Sequence, residues 1–124
     1  METSNYKSII SWALELIDSG RWYEAFDNLK RRQLQNDKDA IAVLSQFYLY
    51  GIGVTKDIQL GIELLEQAIS LGSAEAAWEL GLLYCENDEG INTNMYKAVE
   101  IFNKGAALGN ENCYGALSEC YLYG

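Results

Sequence analysis

The chain has 124 residues, a net charge of −9 and neither histidine nor proline. That length holds one domain, able to bury roughly two-thirds of its unfolded surface, and a hydrophobic content of 49% is that of a globular chain rather than a disordered one. A Ser-His or Cys-His nucleophile is excluded, and no apolar run reaches the roughly 18 residues that cross a bilayer.

Taken in order, METSNYKSII lacks the basic region and apolar stretch of a signal peptide, which points to a cytoplasmic protein. Ser4 or Asn5 is placed to cap a helix running to about Asp18, with Ile9, Ile10, Ala13, Leu16 and Ile17 at helical spacing. Gly20 ends it. A second helix, Trp22 to Leu34, gathers Trp22, Ala25, Phe26 and Leu29 on one side. Its final turns carry Lys30, Arg31 and Arg32, which suit the negative end of the helix dipole and are too few for strong phosphate affinity.

From Asp37 or Asp39 a third helix extends to Tyr50 and breaks at Gly51 and Gly53. The segment GIGVTKD has no G-x-x-x-x-G-K-[ST] spacing and no preceding strand, so it reads as a link between antiparallel helices and not as a phosphate loop. Asp57 caps a fourth helix, about 58–71, with Ile58, Ile62, Leu65 and Ile69 in a stripe, and Gly72 closes it. Ser73 caps a fifth helix from Ala74 to about Cys85, and a longer loop, ENDEG, follows. Asn94 stands where Asp57 stood, a sixth helix runs to about Leu108 before Gly109, and Asn110 caps a seventh, Glu111 to Tyr123. The expected fold is all-α, with the seventh helix unpaired.

The central stretch repeats itself. Ala40, Leu44 and Tyr48 return as Ala76, Leu80 and Tyr84 at an offset of 36. One extra loop residue makes the offset 37, and Gly53, Val54, Glu63, Leu65, Leu71 and Gly72 then meet Gly90, Ile91, Glu100, Phe102, Leu108 and Gly109. A third start is visible in Leu117, Tyr121 and Gly124. A period in the thirties marks stacked helix pairs.

These residues resemble the Sel-one-like repeat, a relative of the tetratricopeptide repeat, with the pattern A-x-x-x-L-G-x-x-Y-x-x-G-x-G-V, then D-x-x-K-A and A-A-x-x-G. Ala76, Leu80, Gly81, Tyr84, Gly90, Ile91, Lys97, Ala98, Ala106, Ala107 and Gly109 supply most of it in one unit; Ala40, Leu44, Tyr48, Gly51, Gly53, Val54, Asp57 and Gly72 do so in the other. That first unit departs from the pattern at Ser45 and at Leu60-Gly61. SGRWYEA, residues 19–25, is similar to a tetratricopeptide turn. The resemblance implies a right-handed α-solenoid: a helix pair over 5–35, repeats over 39–72 and 73–109, and a final helix over 110–124. It also implies scaffolding or adaptor roles toward proteins. Some secreted members staple each repeat with a disulfide, but Cys85 stands where the first unit has Leu49 and Cys120 where it has Phe47, so no regular pairing exists. Cys85, Cys113 and Cys120 are expected to be reduced, with no cofactor and no metal, since histidine is lacking to complete a zinc set. Asp88 and Glu89 read as a solvated loop pair, and the chain is expected not to be an enzyme.

Charge is divided unevenly. Residues 1–38 hold six acids and six bases, whereas residues 39–124 hold twelve acids and three bases. Such a surface repels nucleic acid and attracts a basic protein, though acidity also serves solubility. In stacked pairs the first helices line the inner face. On them Leu44/Leu80/Leu117 and Tyr48/Tyr84/Tyr121 recur and are expected to be structural. The sets Ala42/Trp78/Gly115, Val43/Glu79/Ala116, Gln46/Leu82/Glu119 and Tyr50/Glu86/Tyr123 vary, and are expected to face the groove. Their mixture of aromatics and carboxylates gives an expected partner site of Gln46, Tyr50, Trp78, Glu79, Leu82, Glu86, Glu119 and Tyr123. The expected function is a small acidic immunity protein that neutralises a basic toxin or effector, as a monomer or weak dimer without nucleic acid or membrane. The alternatives are an adaptor for signalling or secretion components, or a piece of a longer solenoid.

Overall fold

The computed structural model describes residues 6–85 and 95–123, with side chains of the last helix described through Ser118. Among the described residues there are seven helices and no strand: α1 (Tyr6–Asp18), α2 (Trp22–Leu34), α3 (Lys38–Tyr50), α4 (Ile58–Ser70), α5 (Ala74–Cys85), α6 (Met95–Ala107) and α7 (Glu111–Tyr123). The expected cap at Ser4 or Asn5, the loop after Cys85 and the cap at Asn94 fall outside the described residues.

One device starts α3, α5 and α7. The residue before each cap is left-handed: Asn36 at φ 57°, Gly72 and Gly109 at φ 98°. The next backbone N–H reaches back five residues, from Asp37 to the Arg32 carbonyl, from Ser73 to Ala68 and from Asn110 to Gly105. That Schellman closure satisfies the last carbonyls of the preceding helix. The same residue then caps forward. Asp37 Oδ1 accepts from the Ala40 N–H (3.2 Å), Ser73 Oγ from Ala76 (3.1 Å) and Asn110 Oδ1 from Cys113 (3.2 Å). Asp37 is therefore the α3 cap, and Asp39 is a buried first-turn residue beside Lys38. The helix pair α1–α2, only loosely matched in sequence, obeys the repeat because asparagine tolerates the left-handed conformation that glycine supplies later. Asp57 caps α4, as its position suggested, accepting from the Leu60 N–H at 3.0 Å.

Packing is sequential. α1 lies on α2 and α3, α2 on α3, and each later helix on its successor through α7. The main core runs from Ile9 and Ala13 through Leu29, Leu44 and Leu65 to Leu80 and Ile101, and a second cluster surrounds Phe102 with Ala98, Cys113 and Leu117. Leu44, Leu80 and Leu117 are thus all buried, at 1%, 0% and 9% exposure.

α3 is the centre of the molecule: nine of its thirteen residues are buried. This corrects one expectation. Ala42 and Val43 do not face a groove but are fully enclosed. With α1 and α2 on one side and α4 on the other, α3 has almost no free circumference, and such a helix is apolar nearly all round.

Candidate partner-binding face

The turn after α1 is shorter than the loop after α3. Only residues 19–21 join α1 to α2, whereas residues 51–57 join α3 to α4. α2 begins 36 residues before α4 but α1 begins 32 before α3, so the two pairs differ by the four residues missing from that turn. Tyr6 is the first residue of α1.

There it meets groups from two other helices. Tyr6 is half-buried against the core. Burial pushes its phenol above the ordinary tyrosine range, and Glu79, Glu75 and Tyr50 add to the rise in that order. The phenol of α1, two carboxylates of α5 and an exposed tyrosine at the end of α3 therefore share one locality. Glu75 and Glu79 are one turn apart and half-buried. Like charges at that spacing oppose each other. A cation placed between them relieves that repulsion.

The expected site residues distribute as follows. Tyr50 (59% exposed) and Glu79 come together around Tyr6. Gln46 is half-buried, and its Nε2 donates to Ser45 Oγ at 3.5 Å. Trp78 and Leu82 are half-buried and packed on the Phe102 cluster, Trp78 lying 5.7 Å from the Phe102 ring in a tilted arrangement. Much of the Trp78 surface is therefore used between α5 and α6. Glu86 lies outside the described residues, as do the side chains of Glu119 and Tyr123. The sequence reading omitted Tyr6 and Glu75. Glu75 stands one turn before Glu79 in the sequence; no sequence pattern links Tyr6 to either, because packing alone brings α1 near α5.

Cys113 is buried and its thiol is pushed up to about 11 by that burial. A thiol protonated at neutral pH is a poor nucleophile. No helix among the described residues is long and apolar enough to cross a membrane.

Comparison with known proteins agrees with the repeat period. The family model described as Sel1 repeat matches residues 38–73 and 74–110. A Sel1 repeat protein from Oxalobacter formigenes is similar in structure, with a TM-score of 0.77 and 24% identity over 94% of this chain and 49% of that one. Cysteine rich protein B of Helicobacter pylori gives 0.73 and 22% identity over 91% of this chain and 92% of its own. A protective antigen of uropathogenic Escherichia coli with an SLR fold gives 0.77 and 17% identity, covering 94% of this chain and 26% of that one. The chain thus spans about half the length of the Oxalobacter protein. No curated protein matches it.

Proposed function

The chain belongs to the Sel1 repeat family, and from that premise we propose that it is a protein-binding module whose first-helix face takes a basic segment of a partner. The Sel1-repeat fold suits a protein–protein interaction module, because stacked pairs display a continuous surface built from rigid helices. The observation that carries the choice of partner is the gathering of Tyr6, Tyr50, Glu75 and Glu79 from three helices. The acidic surplus of residues 39–124 gives the chain a field that attracts cationic groups.

Two biological settings fit this chemistry. One is a dedicated inhibitor, an immunity protein that occupies a single basic toxin or effector. The other is an adaptor for signalling or secretion components, favoured by the similar Oxalobacter array being about twice as long. Capture of partners from the native lysate, followed by their identification and stoichiometry, separates them. One tight, basic, one-to-one partner supports the inhibitor, and several weak ones support the adaptor.

The site itself is tested by reversing charge. Glu75→Lys together with Glu79→Lys places like charges across the interface and is expected to weaken binding of the captured partner by several kcal/mol, with much of the loss in association rate at low salt. Retained affinity in the double variant would remove the acidic first-helix face from consideration and leave the outer helices as the contact surface.

A further inference from the structure

Tyr48 of α3 is covered by the preceding pair, its ring lying 5.7 Å from Phe26 of α2. Trp12 of α1 is half-buried against the core, with the Arg32 guanidinium 5.8 Å from its ring. Nothing among the described residues covers Trp12 as Phe26 covers Tyr48. Instead it divides a groove between α1 and α2, floored by Ile9, Trp12 and Leu16 and rimmed along α2 by charged side chains.

The rim is ordered by sign. Glu24 and Asp27 occupy the first half of α2, and Arg31 and Arg32 the second. Two of the four are already engaged: Glu24 with Arg21, and Arg32 with Asp37 at 4.0 Å and with the Trp12 ring at 5.8 Å. Asp27 and Arg31 remain, one turn apart, exposed and lining the same groove. Neither has an ion-pair partner among the described residues.

We infer that this end of the solenoid is a self-association surface, on which a second copy of the chain docks by a two-fold axis through the middle of α2. An acidic-then-basic helix is complementary to itself when antiparallel. Asp27 of one copy then faces Arg31 of the other, and the reciprocal pair forms by symmetry. Charge selects the occupant as well as the orientation. Residues 1–38 are electrically balanced, whereas residues 39–124 carry the entire −9, so two copies meeting through this part bring together the less repulsive of the two regions. Two helices of 13 residues, each about 20 Å long and about 10 Å across, offer an end of roughly 400 Å². That is half the ≈800 Å² per partner of a standard complex, and so the dimer is weak and reversible.

Sedimentation equilibrium over a wide concentration range at low salt provides the test. The unaltered chain is expected to show a reversible monomer–dimer equilibrium that weakens as salt is added. Asp27→Lys and Arg31→Glu, each alone, are expected to raise the dissociation constant on the order of tenfold or more, because like charges then face each other twice. Mixed one-to-one, the two variants are expected to regain association, since each now presents the sign that the other lacks. Both positions are exposed on a helix, and unchanged circular dichroism confirms that the variants are folded. A chain that remains monomeric throughout, a dimer indifferent to both reversals, or a mixture that fails to associate overturns the inference. Glu75→Lys with Glu79→Lys leaves this dimer intact, which keeps its failure distinct from that of the acidic face.

Discussion

At the α3–α4 crossing the glycine that faces a bulky side chain is on the second helix, Gly61; at the α5–α6 crossing it is on the first, Gly81, while Gly105 of α6 closes on Ala77 and Cys113. A Cβ on Gly61 would lie 2.6 Å from the Leu49 side chain and 3.3 Å from the Ser45 carbonyl oxygen, whereas a Cβ on Gly81 would overlap the Phe102 ring. In the first repeat Ser45 fills the position of Gly81, and in the second Ala98 fills that of Gly61. The bulky partner moves with the notch. Leu49 of α3 presses into α4, and Phe102 of α6, standing where the first repeat has Leu65, presses into α5. The departure of the first repeat from the family glycine is therefore compensated: each crossing sets a glycine against a protruding side chain of the facing helix, and close packing accepts either arrangement.

The largest effect tests what the two repeats share. Leu44→Ala and Leu80→Ala each leave a cavity at equivalent buried positions and are expected to cost about 2–5 kcal/mol in chemical denaturation. A cost below about 1 kcal/mol at one of them would show that the repeats do not have a common core. The next test addresses what they do not share. Gly81→Ala drives a methyl into Phe102 and is expected to cost about 1–3 kcal/mol. Adding Phe102→Leu restores the side chain of the first repeat, and the double variant is expected to be more stable than the sum of the single changes by at least about 0.5 kcal/mol. Strict additivity would sink the notch-and-bulge account.

Smaller effects follow at the turns. Gly72→Val and Gly109→Val place a β-branched residue at φ 98° and are each expected to cost on the order of 1–2 kcal/mol. Asn36→Gly, at the equivalent position of the first pair, is expected to be neutral or slightly stabilising in the same melts, since glycine adopts φ 57° without the Cβ penalty.

The smallest expected effect compares the acidic face with the rest of the molecule. Tyr6 has a folded pKa above the ordinary 10.0. Its contribution is complete below that pH and declines as the pH rises past it, where the unfolded chain ionises and the folded one does not. Thermal melts between pH 8 and 11 are expected to fall less steeply for Tyr6→Phe than for the unaltered chain. Tyr48 and Cys113, raised chiefly by burial, act in the same direction, so the slope is reduced and not abolished. An unchanged slope would separate Tyr6 from Glu75 and Glu79.

Helices, their ends and their period were legible in the residues. Asp57, Ser73 and Asn110 cap where short polar side chains reach back to free N–H groups, and Gly72 and Gly109 stop where a left-handed residue is required. These are local matters, settled within a few residues of chain. Exposure separates the residues expected on the candidate face: Tyr50 is exposed and Glu79 half-buried, whereas Ala42 and Val43 are enclosed, because alignment of repeats treats all first helices alike.

The chain by itself determined seven amphipathic or apolar helices, their caps and a repeat of 36 or 37 residues, since hydrogen bonding along a helix and apolar spacing depend on neighbours in sequence. Tertiary structure alone decided the rest. It enclosed α3 between neighbours on both sides, it exchanged the glycine between the two crossings, and it brought Tyr6 of α1 near Glu79 of α5. Those outcomes join residues as many as 73 positions apart. They follow from how helices slide and stack to fill volume, which no local pattern specifies.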